Sequence, residues 1–480
     1  MHRPTFARLA LLSGLLAAAP ACSGGEAGSA AGPSGSGGEA GSSVGASGSG
    51  GSSGANAGSS GSAGSGSSET CDGGAALGHP FGSHASSYTS GTIAPTGSRA
   101  SLDAATAAFY DSWKAALLVN GCGGYYVNFG GRAKEPILVS EGHGYGMLIT
   151  VMMAGHDPDA RAIFDGFYDV FRKFPSINNA DLMAWAVLRN CVLSTSATDL
   201  ADSATDGDLD IAFALLLADK QWGSCGRVNY LAEAQKVVAA IKAHDLNHTT
   251  NLALLGDWAD TTAAYYAARY ASFTGPYGAG SHKDYYWGTR PSDFMMDHFK
   301  AYGAASGDAD WTKVIDAHYG LIAAIAPPAT GLVPDFVDKT NTAPAPAGAN
   351  YLEDVTDGDY AYNACRVPWR VGTDYLVSGE ARAKAVLDKI NAWIVTKTGG
   401  DPTKILDGYK LDGTTIGGGP SFAFEAPFAV AAMAGPSSQK WLDAIWTHMV
   451  VQTPTASVGY YEDTLKLLAM IVLSANWWQP

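Results

Sequence analysis

The folded part of this 480-residue sequence is predicted to be all-α. Apolar residues recur at helical spacing from Leu102 onward, whereas the alternation typical of strands is scarce. Stretches rich in Gly and Pro separate these segments, as expected of loops between helices. Many segments are apolar on all sides, and such helices occupy the inside of a two-layer arrangement. These observations favour a toroid of helical hairpins that opens at one end into a cleft, although periodicity alone does not establish ring closure.

The first 21 residues are predicted to be a secretory signal. Arg3 and Arg8 precede an apolar stretch, residues 9–19, that is too short to span a membrane. Cys22 follows several small residues, which resembles a bacterial lipoprotein signal whose cysteine becomes the lipid-modified first residue. Ordinary secretion after cleavage near Ala21 is the alternative. We therefore expect an exported protein, either extracellular or held at the cell surface or outer membrane through a lipid on Cys22.

Residues 22–87 are predicted to be a disordered linker, and residues 88–480 the folded domain. Residues 23–69 are almost entirely Gly, Ser and Ala, so they cannot bury enough apolar surface to fold. The net charge of −15 argues against nucleic acid as a partner, and we expect a monomer. The cysteines after Cys22 lack the spacing of a zinc site, and their odd number leaves at least one thiol free.

The predicted helices follow one another along the folded domain. The first begins after Ser101, a suitable N-cap, and carries Phe109, Trp113 and Leu117 at helical spacing. The predicted helices span residues 102–118, 144–154, 160–171, 180–193, 208–220, 229–244, 260–274, 290–306, 311–325, 364–377, 380–398, 423–434, 439–450 and 461–474.

Residues 204–222 read ATDGDLDIAFALLLADKQW and place three carboxylates at the start of an almost wholly apolar helix. Asp206 or Thr205 is predicted to cap this helix, because a side-chain oxygen there accepts from free N–H groups in the first turn. The helix dipole also favours carboxylates at this end, including Asp208 and Asp210. A buried helix that begins with three acids at a cavity mouth is also a candidate binding site.

Residues 140–147, SEGHGYGM, contain the first candidate for acid chemistry. Glu141 stands at the start of an apolar helical stretch, among glycines that let the backbone approach a neighbour or ligand closely. Partial burial raises the pKa of a carboxyl group, as a general acid requires near neutral pH. A capping acid with structural glycines is the alternative interpretation.

Both stretches resemble glycoside hydrolase family 8. Residues 204–222 fit the family signature throughout: A-T-D-G-D, two residues, I-A, one residue, A-L-L, one residue, A, three residues and W. Residues 140–147 fit its S-E-G-x-G-Y motif. Further family-like segments occur in the expected order: LMAW at 182–185, LGDWA at 255–259 and RVPWR at 366–370. The resemblance covers about residues 102–478.

The resemblance implies an (α/α)6 barrel whose cleft binds a β-1,4-linked polysaccharide and cuts it internally with inversion. It makes Glu141 the proton donor and Asp206 the residue that contacts the sugar at the cleavage point. The expected substrate is a β-1,4-linked or mixed-linkage β-glucan. Chitosan is the main alternative, and xylan is a further substrate of the family. No metal or organic cofactor is expected.

The general base departs from the commonest family pattern, because Asn363 occupies the position of the usual aspartate, three residues before Arg366. An amide cannot accept a proton from water in this role. One subgroup of the family uses a glutamate from a preceding loop and carries Asn at the vacated position. The loop at 334–359 makes Glu353 the predicted base by this resemblance. The alternatives in the same loop are Asp354 and Asp357.

A single displacement sets the expected geometry. Glu141 would protonate the departing oxygen and Glu353 would activate water on the other face of the ring, so their carboxyl groups should lie roughly 6.5–9.5 Å apart. Loss of the base would instead leave a catalytically inactive glycan-binding protein. The predicted sugar-contacting residues are Tyr145, Trp185, Trp258, Asn363 and Arg366. Weaker candidates are Trp113, Trp287, Arg290, Asp293 and Tyr461.

Overall fold

A computed structural model describes residues 76–129, 136–196, 199–270, 274–275, 278–279, 285–451 and 460–480. The predicted signal, Cys22 and the linker as far as residue 75 lie outside the described residues. Within the described ranges, no helix combines the length and the apolar character needed to cross a membrane.

Helices make up most of the regular structure. They are α1 (Arg99–Leu117), α2 (Ser140–Met152), α3 (Ala160–Lys173), α4 (Thr205–Trp222), α5 (Tyr230–His244), α6 (Tyr266–Arg269), α7 (Met296–Ser306), α8 (Trp311–Ile325), α9 (Val367–Ser378), α10 (Ala381–Thr398), α11 (Phe422–Ala432), α12 (Gln439–Val450) and α13 (Tyr460–Leu473).

The helices form two concentric rings. The inner ring consists of α2, α4, α7, α9, α11 and α13, in which each helix packs against the next and α13 packs against α2. The outer ring consists of α1, α3, α5, α8, α10 and α12. Each packs against an inner helix adjacent to it in the chain, except α1, which packs against α13. The ring therefore closes, and the predicted (α/α)6 barrel is confirmed.

Glycines bring the inner helices α2 and α4 close together. A Cβ atom on Gly144 would lie 2.6 Å from the Cβ atom of Asp210, and one on Gly207 would lie 2.4 Å from the Oγ atom of Ser140. Atoms cannot approach that closely, so a larger residue at either position would push the helices apart. This close approach fixes the relative positions of the first turns of α2 and α4.

Short antiparallel strand pairs connect some of the helices. They are β1 (Leu118–Gly121) with β2 (Gly124–Val127), β3 (Leu138–Val139) with β4 (Ala186–Val187), β5 (Thr195–Ser196) with β6 (Asp199–Leu200), β7 (Thr274–Gly275) with β8 (Gly278–Ala279), and β9 (Val337–Asp338) with β10 (Ala345–Pro346). The β3–β4 pair lies directly before α2 and supports its first turn, since the Ser140 N–H donates to the Trp185 carbonyl (2.8 Å).

The helix predicted at 180–193 is wrong. That segment forms a loop containing β4, and a disulfide between Cys122 and Cys191 ties it to the turn between β1 and β2. Its short apolar run is buried in the loop, and such runs do not distinguish a helix from a strand. Cys365 is a free, buried thiol, which agrees with the expectation from the odd cysteine count.

Two other predicted helices are shorter than expected. Within the described part of 260–274, only the single turn α6 is α-helical. In the segment 290–306, Pro291–Asp293 forms a 3-10 turn and the α-helix begins only at Met296. Proline disfavours helical backbone in the residue before it, so a helix that includes Arg290 is blocked.

Residues 78–93, which we call the basal strap, run across the C-terminal ends of the inner helices. The Phe81 N–H donates to the Ala154 carbonyl (2.7 Å), and the Thr89 N–H donates to the Leu376 carbonyl (2.7 Å). The predicted start of the folded domain at residue 88 is therefore too late. The strap contains few apolar residues, so it produces no periodic pattern from which its docking could be predicted.

Candidate active site

The predicted residues Glu141, Asp206 and Arg366 converge at the N-terminal ends of the inner helices, together with Tyr460. Glu141 is the second residue of α2, Asp206 the second of α4, and Tyr460 the first of α13. Arg366 directly precedes α9. Alternating inner and outer helices bring all inner N-termini to one end of the barrel, where their dipoles favour negative charge.

Arg366 connects most of the predicted site residues. Its Nη1 atom donates to Oε2 of Glu141, to Oδ2 of Asp206 (2.8 Å) and to the hydroxyl of Tyr145 (3.2 Å). Its Nη2 atom donates to Oδ1 of Asn363 (2.7 Å). Arg366 is 1% exposed and Tyr145 is fully buried. Arg366 therefore holds the carboxyl groups of Glu141 and Asp206 from the buried side of the site, and Tyr145 contacts Arg366 there. Direct contact of Arg366 or Tyr145 with sugar stays a prediction.

Glu141 has the environment of a general acid. The Tyr460 hydroxyl donates to its Oε1 atom, and the carboxyl group is only 17% exposed. Burial raises its pKa to about 7 and Asp206 adds to the rise, although Arg366 and Tyr460 act in the opposite direction. The predicted upward shift is confirmed, and Glu141 retains its proton up to neutral pH.

Asp206 is ionised, in contrast to Glu141. Burial raises its pKa, but Arg290 and Arg366 outweigh burial and hold the pKa at about 2. The predicted capping role of Asp206 or Thr205 is wrong, since no side chain caps α4. The Asp206 carboxylate is instead occupied by the two guanidinium groups and by the N–H of Gly207 (2.9 Å).

Glu353 lies beside the same cluster. Its Oε2 atom accepts from the Asn363 amide (2.8 Å), and its Oε1 atom lies 3.8 Å from Nη1 of Arg290. Burial raises its pKa, and Arg290 and Asn363 oppose the rise. A continuous set of contacts therefore runs from Glu141 through Arg366 and Asn363 to Glu353.

The two alternative bases occupy different positions. Asp354 is exposed. Asp357 is buried, and its carboxylate accepts from the backbone N–H groups of Leu352 (2.7 Å), Glu353 (2.9 Å) and Asp354 (2.8 Å). Asp357 thus holds the turn that presents Glu353, and this arrangement favours Glu353 among the three acids.

Sequence reasoning missed Tyr460 and Asp335. Buried Asp335 accepts from the N–H groups of Ala361 (3.0 Å), Asn363 (3.1 Å) and Ala364 (2.6 Å), so it anchors the segment that carries Asn363. Burial raises the pKa of Asp335 to about 8. Tyr460 directly precedes Tyr461, a weaker candidate for sugar contact. This pair of tyrosines was the sequence feature from which Tyr460 could have been found.

The tryptophans predicted to stack on sugar differ in their burial. Trp185 and Trp258 are partly buried, and the ring of Trp258 meets that of Tyr285 edge to face, with centroids 5.3 Å apart. Their stacking on sugar stays a prediction. Trp113 is fully buried and its indole N–H donates to Thr464 (3.0 Å), so this candidate is wrong because the side chain belongs to the core.

Comparisons with known proteins agree with this architecture. The model of the family "Glycosyl hydrolases family 8" matches residues 98–474. A β-glucanase of Niallia circulans is 45% identical over 84% of this chain and 92% of its own length. An endoglucanase of Bacillus sp. (strain KSM-330) is 41% identical over 80% of this chain and 78% of its own.

A solved structure gives the same result. The apo structure of the β-1,3-1,4-glucanase from Paenibacillus sp. X4 matches with a TM-score of 0.75 and 44% identity, and covers 84% of this chain and 100% of that chain. The family match extends from the first barrel helix to the last, so it includes all the inner helices that position the carboxylates. The protein is therefore a glycosidase and belongs to glycosyl hydrolase family 8.

Proposed function

We propose that this protein is an endo-acting β-glucanase that cleaves β-1,4-linked or mixed-linkage β-glucan with inversion. The observation that carries the proposal is the pair of carboxyl groups, Glu141 and Glu353, joined through Arg366 and Asn363. One carboxyl group holds a proton at neutral pH, and the other is placed to accept one. Two such groups on opposite sides of a glycosidic bond suffice for a single displacement.

In the first half of the reaction, Glu141 donates its proton to the departing glycosidic oxygen. Its pKa of about 7 keeps the proton available and also makes the proton easy to release. Asp206, held ionised by two arginines, contacts the sugar at the cleavage point and favours its distorted ring.

In the other half of the reaction, Glu353 removes a proton from water on the opposite face of the ring. The Asn363 amide supports this role because its N–H donates to Oε2 of Glu353 and thereby orients the carboxylate. Asn363 also accepts from Arg366, which fixes the orientation of the amide. The amide thus occupies the usual position of the base and holds its replacement.

A neutral glucan suits this site better than chitosan. The Asp206 carboxylate already has two guanidinium partners, at 2.8 Å from Arg366 and 3.0 Å from Arg290. It has no unbalanced charge for the ammonium group of a glucosamine unit, which the same arginines would repel. The names of the relatives, a β-glucanase, an endoglucanase and a β-1,3-1,4-glucanase, point in the same direction.

The test measures reducing-sugar release from lichenan, carboxymethyl cellulose, xylan and chitosan by the wild type and three variants. We expect lichenan and carboxymethyl cellulose to be cut, and E141Q and E353Q to lose about 10²–10⁴-fold in activity. D354N is the matched control on the same loop and should keep its activity. Proton NMR of the first product should show the α-anomer, because inversion converts a β-linkage into an α-hydroxyl group.

Each contrary result has a definite meaning. Full activity in E353Q would assign the base elsewhere, and a β-anomeric first product would overturn inversion. Cleavage of chitosan alone would make the protein a chitosanase. Binding of glucan without any cleavage would instead indicate a glycan-binding protein that has lost its base.

Export is part of the same proposal. The signal-like first 21 residues and the small residues before Cys22 support secretion with a lipid on that cysteine. Mass spectrometry of the mature N-terminus should find a diacylglyceryl-modified Cys22, whereas an unmodified N-terminus at that position would indicate ordinary secretion.

A further inference from the structure

Arg290 contacts both the sugar-binding carboxylate and the loop carboxylate. Its Nη2 atom lies 3.0 Å from Oδ1 of Asp206, and its Nη1 atom lies 3.8 Å from Oε1 of Glu353. The two acids come from different parts of the fold, since Asp206 is on α4 and Glu353 is on the loop before α9. Arg290 is the described side chain that forms ion pairs with both of them.

Asp293 fixes the Nε edge of the Arg290 guanidinium group. Its Nε atom donates to Oδ1 (3.0 Å) and Oδ2 (3.1 Å) of Asp293, which is fully buried. The Ser292 hydroxyl donates to the same carboxyl group (3.0 Å). The guanidinium group is planar, so an Asp293 contact at Nε aims Nη1 and Nη2 in fixed directions.

Charge balance gives this geometry a purpose. Arg290 and Arg366 together carry two positive charges, and the carboxyl groups that form ion pairs with Arg290 are those of Asp206, Glu353 and Asp293. Arg290 faces Asp206, Glu353, Asp293 and Arg366. Without Arg290, Asp206 would keep Arg366 as its ion-pair partner, whereas Glu353 would lose its ion pair to the barrel.

We propose that Arg290 is a positioning residue that ties the loop bearing Glu353 to Asp206, and that Asp293 orients the guanidinium group for this task. The proposal rests on the proposed function, because it takes Glu353 as the base. It assigns the R-P-S-D segment, residues 290–293, to alignment of the base with the bound sugar.

The proposal predicts a change in the pH profile that mere support of the fold would not produce. Arg290 is the largest influence that lowers the pKa of Glu353, which also faces Asn363, Asp357 and Arg366. Removing its charge raises the pKa of Glu353, so the acid limb of the activity profile moves to higher pH. Glu141 is affected less, because Arg290 is the weakest of its main influences.

The experiment measures kcat and KM for lichenan between pH 4 and pH 9 in R290Q, R290K and D293N. We expect R290Q to lose about 10²-fold or more in kcat and to shift its acid limb by about one pH unit. R290K keeps the positive charge but lacks the fork, so kcat should fall with a smaller shift of the limb. D293N should show a smaller loss of kcat, and R382Q, on the outer surface, serves as the control.

Several results would overturn the proposal. If R290Q is folded by circular dichroism and keeps the wild-type acid limb, Arg290 does not act on the base. If R290Q fails to fold, R290K and D293N provide the test instead. Unchanged kcat and unchanged pH limbs in both of these variants would also show that Arg290 does not act on the base. Because E353Q is assayed alongside, an inactive E353Q with unaffected Arg290 variants overturns only this inference. An active E353Q overturns the proposed function itself.

Discussion

The aspartates on two faces of α4 have different surroundings. Asp206 and Asp210 stand one turn apart and share a face of the helix, whereas Asp208 lies between them and points away. All three side chains are nearly or fully buried. One face meets arginines and the other meets further acids, so a comparison of the two faces isolates what a buried carboxyl group requires.

The arginine face holds its acids as ion pairs. The Asp210 carboxylate accepts from Nη1 (2.8 Å) and Nη2 (2.5 Å) of Arg370, and the His298 ring lies 3.0 Å from its Oδ1 atom. Asp206 has Arg290 and Arg366 in the corresponding role. Each carboxylate on this face is therefore balanced by cations inside the barrel.

The opposite face holds its acids with uncharged donors. Asp208 accepts from the Met183 N–H (2.8 Å), and Asp245 accepts from the Ser203 hydroxyl (3.4 Å). Burial raises the pKa of Asp208 and of Asp245 well above the ordinary value, and their proximity to Asp257 raises both further. Burial without a guanidinium partner thus raises the pKa of Asp208, whereas Arg290 and Arg366 lower that of Asp206, so a guanidinium partner decides the direction of the pKa shift on α4.

The largest expected effect comes from matched substitutions on the two faces. D210N should lower the free energy of unfolding by about 3–5 kcal/mol, because it leaves Arg370 buried without its carboxylate. D208N should not lower the free energy of unfolding, since an amide of similar shape replaces an acid whose pKa burial raises. Urea denaturation at pH 7 measures both, and equal losses would contradict the assignment of charge.

Glu141 combines features of both faces of α4. It contacts Arg366, as the acids of the arginine face contact arginines, yet its pKa is raised, as that of Asp208 is. Activity on lichenan should fall about tenfold per pH unit above the pKa of Glu141, which is about 7. On the acid side, activity should fall as Glu353 becomes protonated. A profile that stays flat to pH 9 would show that Glu141 is not the acid.

The stability of the protein should also respond to pH through Asp208. Burial raises the pKa of Asp208 in the folded protein, whereas the unfolded chain releases the proton above pH ~4, so Asp208 favours unfolding increasingly as pH rises. D208N removes this contribution. Its stability relative to wild type should therefore improve as pH rises from 5 to 8, with a limiting slope of about 1.4 kcal/mol per pH unit. A difference that stays constant over this range would mean that Asp208 is already ionised in the folded protein.

The smallest expected effect on activity comes from removing the Tyr460 hydroxyl, the uncharged group that donates to Glu141. The Tyr460 hydroxyl lowers the pKa of Glu141, so Y460F should move the alkaline limb of activity to higher pH. Loss of one hydrogen bond to this group should cost about 1–2 kcal/mol in the transition state, or about tenfold in kcat. Y461F is the adjacent control, because the Tyr461 hydroxyl donates to the Tyr362 carbonyl. Equal shifts in both variants would refute a specific role for Tyr460.

Local pattern was enough to predict most of the helices and the raised pKa of Glu141. The apolar run after Asp210 predicted a buried helix, and the glycine-rich segment around Glu141 predicted close packing and a raised pKa. Both are properties of short segments, which periodicity and residue type determine. The same information was ambiguous at 180–193, where a short apolar run became a buried loop.

Contacts between distant segments could not be predicted in this way. Tyr460 is 319 positions from Glu141 along the chain, and Arg366 is 225 positions away. Which side chains meet across such distances depends on how the inner helices close into a ring. Periodicity specifies the apolar face of each helix but not its neighbour, so the partners of each carboxyl group emerge only from the fold.

The basal strap has a consequence for how the enzyme is held. It enters the barrel at the end opposite the carboxylates, and its His79 ring stacks on Trp478 near the end of the chain, with centroids 4.0 Å apart. Both ends of the barrel domain therefore leave from the base. A support attached through either one, such as a chromatography bead, would lie at the end of the barrel opposite the carboxylates. Immobilised enzyme should accordingly retain access to long, stiff polymers that could not thread between the barrel and its support.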